Sequence, residues 1–223
     1  MRAVWVEDWT PFENLTLHQV PAPAINERQV RIKTQAAGVS FATSLVVEGK
    51  YQRKPPRPFA PGTEIAGIVT EVGSEVTRFQ PGDRVCAVLD WGGLADEAAA
   101  FEVNTYKIPD GMPFPVAISF TNSYGTSAAA FTWPHLLQVK QGDWVLVHGA
   151  AGGVGLAAVE IGKILGATVV ATAGSNEKLA LARAHGADHT INYRDENFRD
   201  RVLEITDGRG VDKVYDPVGG DVF

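Results

Sequence analysis

The chain has 223 residues, 45% of them hydrophobic and 21% charged, with a net charge of −6. Such a chain holds one large domain or about one and a half, and its composition excludes extensive disorder. The acidic balance argues against a dedicated nucleic-acid or anionic-membrane binder, and no apolar run approaches the ~18 residues of a membrane span.

Glu7 and Asp8 follow the start too closely for a signal peptide. Cys86 is the only cysteine, so internal disulfides and multi-cysteine zinc sites are excluded, and a reducing, cytoplasmic compartment is the default expectation.

Two textures meet near residue 115. In the first, Val30-Arg31-Ile32-Lys33-Thr34 alternates as a half-buried strand does. Prolines 21, 23, 55, 56, 58 and 61 mark loops. Ile65–Val72 is apolar and β-branched, and Pro81-Gly82-Asp83 is a turn that opens a strand over Arg84–Leu89. A small, mostly antiparallel β domain is expected. Arg53-Lys54-Pro55-Pro56-Arg57 reads as a solvated loop, or as a weak attraction for anionic substrates. A helical bridge is expected over Phe114–Phe131.

The second texture alternates strand and helix. Strands are expected at Trp144–His148, Thr168–Thr172, His189–Tyr193 and Val211–Tyr215. Helices are expected at Gly153–Leu165, Ser175–His185 (closed by Gly186) and Asn197–Thr206. This order implies a doubly wound parallel sheet in an α/β fold.

Between the first strand and helix of that series lies His148-Gly149-Ala150-Ala151-Gly152-Gly153-Val154-Gly155. A βα turn that binds a dinucleotide must be tight, must admit the pyrophosphate close to its backbone, and must let the helix pack on its strand. Ala150 replaces the first glycine of the usual G-x-G-x-x-G, while Gly152 and Gly155 keep the others. The alternative is an ordinary βα turn, but the next strand falls at the expected distance. Ala151, Gly152, Gly153 and Val154 are therefore expected to line the phosphates.

An NAD site places an acid at the end of the second strand, against the ribose 2′-hydroxyl. Here the strand runs out through Ala173 and Gly174 into Ser175-Asn176-Glu177-Lys178. Ser175 is able to donate to a 2′-phosphate and Lys178 to neutralise it, so NADP(H) is expected rather than NAD(H). Ser175 also reads as a plain helix cap and Lys178 as a solvated cation. No Tyr-x-x-x-Lys pair, Gly-x-Ser-x-Gly elbow or Walker motif occurs, and the five histidines lack metal-ligand spacing.

Taken together, Pro61-Gly62-Thr63-Glu64-x-x-Gly67-x-Val69-x-x-Val72-Gly73, Pro81-Gly82-Asp83-Arg84-Val85, the Gly-rich turn and Val214-Tyr215-Asp216-Pro217-Val218-Gly219 form one pattern. It resembles the medium-chain dehydrogenase/reductase superfamily, and within it the zinc-free NADPH:quinone oxidoreductase, or zeta-crystallin-like, branch. The resemblance implies a GroES-like β domain over 1–115 and a Rossmann NADP-binding domain over 116–223.

Zinc-dependent members carry a Cys and a His as catalytic ligands. The matching positions are Ser40 and Thr63, whose hydroxyls are poor zinc ligands. The resemblance thus implies hydride transfer to a small quinone or enone without metal. It places Ser40 and Tyr51 at the acceptor, Thr126 near the nicotinamide, Tyr193 at the 2′-phosphate edge, and Pro217 and Val218 near the nicotinamide ribose. Tyr51 reads equally as a packing aromatic, and Thr126 as a buried helical residue. The branch's Asn and Asp are replaced by Ser40 and Thr43. An enoyl-thioester reductase of the same superfamily and a nucleotide-binding remnant without turnover remain open.

Full-length members are expected to be homodimers. The stop at Asp221-Val222-Phe223, two strands short of a complete dinucleotide fold, gives the expectation of a truncated chain.

Overall fold

Val30 and Ile32, two apart, both turn inward in the first long strand of the computed structural model, which describes residues 1–220. The expected early stop at Asp221-Val222-Phe223 lies outside these residues. The chain forms two units that part between Thr121 and Asn122, against the 115/116 boundary expected from composition.

The first unit contains β1 (Arg2–Trp5), β2 (Thr16–Gln19), β3 (Gln29–Ala37), α1 (Phe41–Val47), β4 (Glu64–Val72), β5 (Arg84–Val88), β6 (Glu97–Phe101), β7 (Thr105–Lys107) and α2 (Phe114–Ser119). β1 and β2 form an antiparallel ribbon, and the other strands form a sheet in the order β6-β3-β4-β5-β7. All its pairings are antiparallel. Val30, Ile32, Ile65, Val69, Val85 and Ala87 interlock in its core. A Cβ on Gly67 would stand 2.1 Å from the Lys33 carbonyl oxygen, so β4 meets β3 only because that residue has no side chain.

The basic loop is held rather than free at two of its cations. Arg53 pairs with Asp90 at 2.8 Å. Arg57 pairs with Asp8 and lies 4.7 Å over the Trp9 ring. This favours the structural reading of that loop over attraction for anionic substrates.

The expected bridge over Phe114–Phe131 is helical throughout, but its winding changes midway. α2 gives way to a π turn over Phe120–Tyr124, and α3 (Gly125–Thr132) follows. Ser119 and Thr121 donate their hydroxyls to the carbonyls of Val116 and Ile118, which competes with regular helical pairing, and Gly125 restarts the helix weakly.

In the second unit come β8 (Trp144–Val147), α4 (Gly153–Ile164), β9 (Thr168–Ala173), α5 (Asn176–Ala184), β10 (His189–Asn192), α6 (Phe198–Ile205) and β11 (Lys213–Tyr215). The described strands are all parallel, in the order β10-β9-β8-β11. Alternate residues feed the two faces. Val145, Val147, Val169 and Ala171 pack with Phe131 and Tyr215, whereas Leu146, Val170 and Ile191 pack with Val202. Burial on both faces explains why these strands read as apolar runs. β11 begins at Lys213 rather than Val211 because Asp212 caps the sheet, its carboxylate accepting the Trp144 N–H at 2.7 Å.

Candidate functional site

The Gly-rich turn leaves β8 and enters α4 around one left-handed residue, Gly149, at φ 59°. The conformational role expected of a glycine at position 150 therefore falls one residue earlier. Ala150 is fully buried and donates its N–H to the Thr172 carbonyl at 3.0 Å, so it docks the turn on β9. A Cβ on Gly155 would stand 2.3 Å from the Gly149 oxygen and 2.7 Å from the Ala150 Cα, so α4 presses directly on the turn. Gly152 caps α4 without a side chain. The first N–H groups of the helix, from Gly153 and Val154, lack intrahelical acceptors and carry the positive end of the helix dipole.

α3 closes one flank. Ser127 donates to the Val154 carbonyl at 2.7 Å and lies 3.2 Å from the Tyr215 hydroxyl. A Cβ on Gly153 would meet the Ser123 hydroxyl at 2.8 Å. Thr126, one residue before Ser127, is exposed, which excludes the buried helical reading.

The loop after β11 closes the other flank. The Asp216 carboxylate accepts the N–H groups of Val218 and Gly219, both at 2.9 Å. Burial works against its charge, but these two bonds hold it below the ordinary carboxylate range. The bend brings Val218 over the turn, its Cγ2 standing 2.9 Å from where a Gly149 Cβ would be, with Pro217 exposed beside it.

At the end of β9, Gly174 lies under two side chains. A Cβ there would be 2.7 Å from the Tyr193 hydroxyl and 3.1 Å from Arg194 Nε. Ser175 caps α5, accepting the Lys178 N–H at 3.4 Å, and the Lys178 side chain is exposed. The sequence pointed to Ser175, Lys178 and Tyr193 here but not to Arg194. No spacing rule marks a residue that reaches the strand end by a tertiary approach.

A cavity of about 570 Å³ opens among His148, Thr172, Tyr193, Phe198 and Val218. His148 Nδ1 lies 2.9 Å from the Thr172 hydroxyl, and its ring meets Phe198 edge-on at 4.9 Å. Burial pushes the imidazole below its ordinary value, against a weaker upward pull from Asp216.

Behind the site, the Glu160 carboxylate on α4 receives the Tyr124 hydroxyl and lies 2.5 Å from His185 Nδ1. Chiefly through that hydrogen bond, the Tyr124 phenol is pushed up to about 12.

In the first unit, Ser40 caps α1. Its N–H donates to the Thr43 hydroxyl at 3.3 Å, and the two hydroxyls lie 3.3 Å apart. Gly38 donates to the Glu64 carbonyl at 3.0 Å, so the segment carrying Ser40 and the start of β4, next to Thr63, share one end of the sheet. Tyr51 follows α1 and is half-buried, its N–H donating to the Leu45 carbonyl at 3.1 Å. Cys86 is buried in β5, and burial pushes its thiol up. Among the described residues, no three His, Cys, Asp or Glu side chains gather as a metal site. A second cavity, of about 390 Å³, lies among Trp5, Phe59, Leu89, Trp91 and Phe101 and contains none of the expected site residues.

Residues 26–135 match the family described as alcohol dehydrogenase GroES-like domain, and residues 153–223 match the zinc-binding dehydrogenase family. A quinone oxidoreductase-like protein 2 homolog of Nematostella vectensis is 43% identical over 197 residues, covering 87% of this chain and 53% of that protein. The chain thus spans about half the length of that relative.

The crystal structure of a Pseudomonas syringae pv. Tomato DC3000 quinone oxidoreductase superposes with a TM-score of 0.92 at 35% identity, covering 100% of this chain and 68% of that one. An Escherichia coli quinone oxidoreductase crystallised with NADPH gives a TM-score of 0.91 at 30% identity, with coverage of 100% and 68%. By its paired GroES-like and dinucleotide-type units and these relatives, the chain belongs to the medium-chain dehydrogenase/reductase superfamily, among its quinone oxidoreductase-like members.

Proposed function

We propose that the chain is an NADPH-dependent oxidoreductase that reduces a small quinone or activated alkene without zinc. The observation that carries this reading is the N-terminus of α4, capped by a residue without a side chain and pressed so closely on the turn that Gly155 leaves no room for a Cβ. The N–H groups of Gly153 and Val154 bind the pyrophosphate, and Ala151 and Gly152 let it approach the backbone. The cavity beside His148 receives the adenosine half, with Val218 and Tyr193 in its walls. Ser175 and Lys178 hold the 2′-phosphate at the acid-free end of β9, against Gly174. Thr126 positions the nicotinamide, with Pro217 and Val218 near its ribose. That several structural relatives were crystallised with NADPH supports the same cofactor.

When bound, NADPH supplies the hydride. Tyr51 donates its hydroxyl proton in a hydrogen bond to the acceptor's carbonyl oxygen, stabilising the charge that grows there. Ser40 shapes the acceptor pocket from the α1 cap. One matched family is described as zinc-binding, yet the donors at the two ligand positions are the hydroxyls of Ser40 and Thr63, and the single thiol is buried elsewhere. The rest of the task is orientation.

Fluorescence titration is expected to show tighter binding of NADPH than NADH, and equal affinities would overturn the cofactor assignment. An acceptor panel is expected to show faster NADPH oxidation with benzoquinones than with enoyl thioesters. The opposite order assigns the thioester reaction instead. Metal analysis after mild dialysis should find far less than one zinc per chain. Tightly held stoichiometric zinc would remove the metal-free reading.

A further inference from the structure

The turn after β10 is built to present two side chains to the end of β9. Parallel pairing sets Asn192 opposite Ala173, and the Tyr193 N–H reaches the Ala173 carbonyl at 3.3 Å. Asn192 is buried and fixes the bend from both of its side-chain atoms. Its Oδ1 accepts the Arg194 N–H at 3.2 Å, and its Nδ2 donates to Asp195 at 2.6 Å. The Asn192 carbonyl also accepts the N–H groups of Asp195 and Glu196, both at 3.0 Å. A turn tied so many times gives Tyr193 and Arg194 a defined direction, and that direction is over Gly174.

The charge there is uncommitted. The acids that follow Arg194 have other partners, Asp195 with Asn192 and Glu196 with Arg201 at 3.3 Å. Among the described residues, neither Arg194 nor Lys178 forms an ion pair, whereas Lys163, at the other end of these two strands, is held by Asp188 at 2.7 Å. Arg194 over Gly174 and the exposed Lys178 in the first turn of α5 give this strand end positive charge that favours an anion there. A ribose hydroxyl offers them only one neutral acceptor, while a phosphate dianion supplies opposite charge and matches the guanidinium fork.

We propose that Arg194 is a specificity-determining residue, closing on the cofactor's 2′-phosphate from the β10 side while Lys178 approaches from α5. The proposal rests on the NADPH reading of this site. It assigns to Arg194 a share of the discrimination between phosphorylated and unphosphorylated ribose that Ser175 and Lys178 would otherwise supply between them.

The test is calorimetric titration of the full chain with 2′,5′-ADP and with 5′-AMP. Arg194→Gln is expected to weaken 2′,5′-ADP roughly ten- to hundredfold, as for loss of a charge-assisted bond, with 5′-AMP changed less than about twofold. Arg194→Lys should fall between, since it keeps the charge and loses the fork. Both variants should melt as the unmutated chain does, because the side chain is exposed. Undiminished 2′,5′-ADP binding by Arg194→Gln, with Lys178→Gln alone impaired, overturns the proposal. Failure of the unmutated chain to bind either nucleotide overturns the underlying NADPH reading and the proposal with it.

Discussion

The two units state their chemistry in different ways. In the second, the candidate site is made largely of backbone: helix N–H groups, a left-handed glycine, and positions where a Cβ would collide. In the first, it is made of side-chain hydroxyls at Ser40 and Tyr51, and one of these is already engaged in capping its own helix. Backbone requirements restrict residue type severely, so a site of that kind can be read from sequence. A hydroxyl is interchangeable among capping, packing and catalysis, so its purpose depends on what stands nearby.

The sharpest break of this contrast uses one glycine from each unit. Gly155→Ala drives a methyl into the turn and should destabilise the second unit by about 2–4 kcal/mol, abolishing NADPH binding. Gly67→Ala should cost the first unit a similar amount through the clash with Lys33, while NADPH binding persists. Thermal melts paired with nucleotide fluorescence check both. Loss of NADPH binding in Gly67→Ala would show that the units do not divide the work as described.

Lys178→Gln tests side-chain recognition within the backbone-built site. NADPH affinity should fall by about 1–3 kcal/mol with NADH nearly unchanged, measured by fluorescence titration. Tyr51→Phe tests the other unit. It should lower kcat/KM for a quinone about tenfold, at unchanged melting temperature and NADPH affinity, because only a donor to the acceptor is removed. Unaltered kinetics would leave Tyr51 as packing.

Thr43→Val removes the acceptor of the Ser40 N–H and should cost about 1 kcal/mol in chemical denaturation. The smallest effect concerns pH. Burial lowers the His148 value below the ordinary 6.5, so the unfolded chain takes up a proton that the folded one refuses. Stability is therefore full above about pH 6.5 and declines as pH falls below it. His148→Gln should flatten this dependence in melts between pH 7.5 and 5.5.

Read without coordinates, the parallel half was nearly complete. The sequence places β8, α4, β9, α5, β10 and α6 within a few residues, since their apolar runs are bounded by glycines and caps such as Ser175 and Asn197. The first unit was read less fully. β1, β2, β6 and β7 are short and half-exposed, and α1 has only seven residues, so none carries a strong local period. The π turn was invisible for a related reason: it arises from hydroxyl–carbonyl bonds inside an otherwise helical stretch.

By itself, then, the sequence determined the strand–helix order, the glycine turn and the acid-free end of β9, because each is a matter of residue type at a fixed place in the chain. Tertiary structure decided the rest. It moved the left-handed residue to Gly149, because Ala150 is needed against Thr172. It lined the cavity with His148 and Phe198 from elements 50 residues apart in the chain. It brought Arg194 over Gly174 through the register of two parallel strands, and such a meeting exists only once non-local pairing sets which strand ends lie side by side.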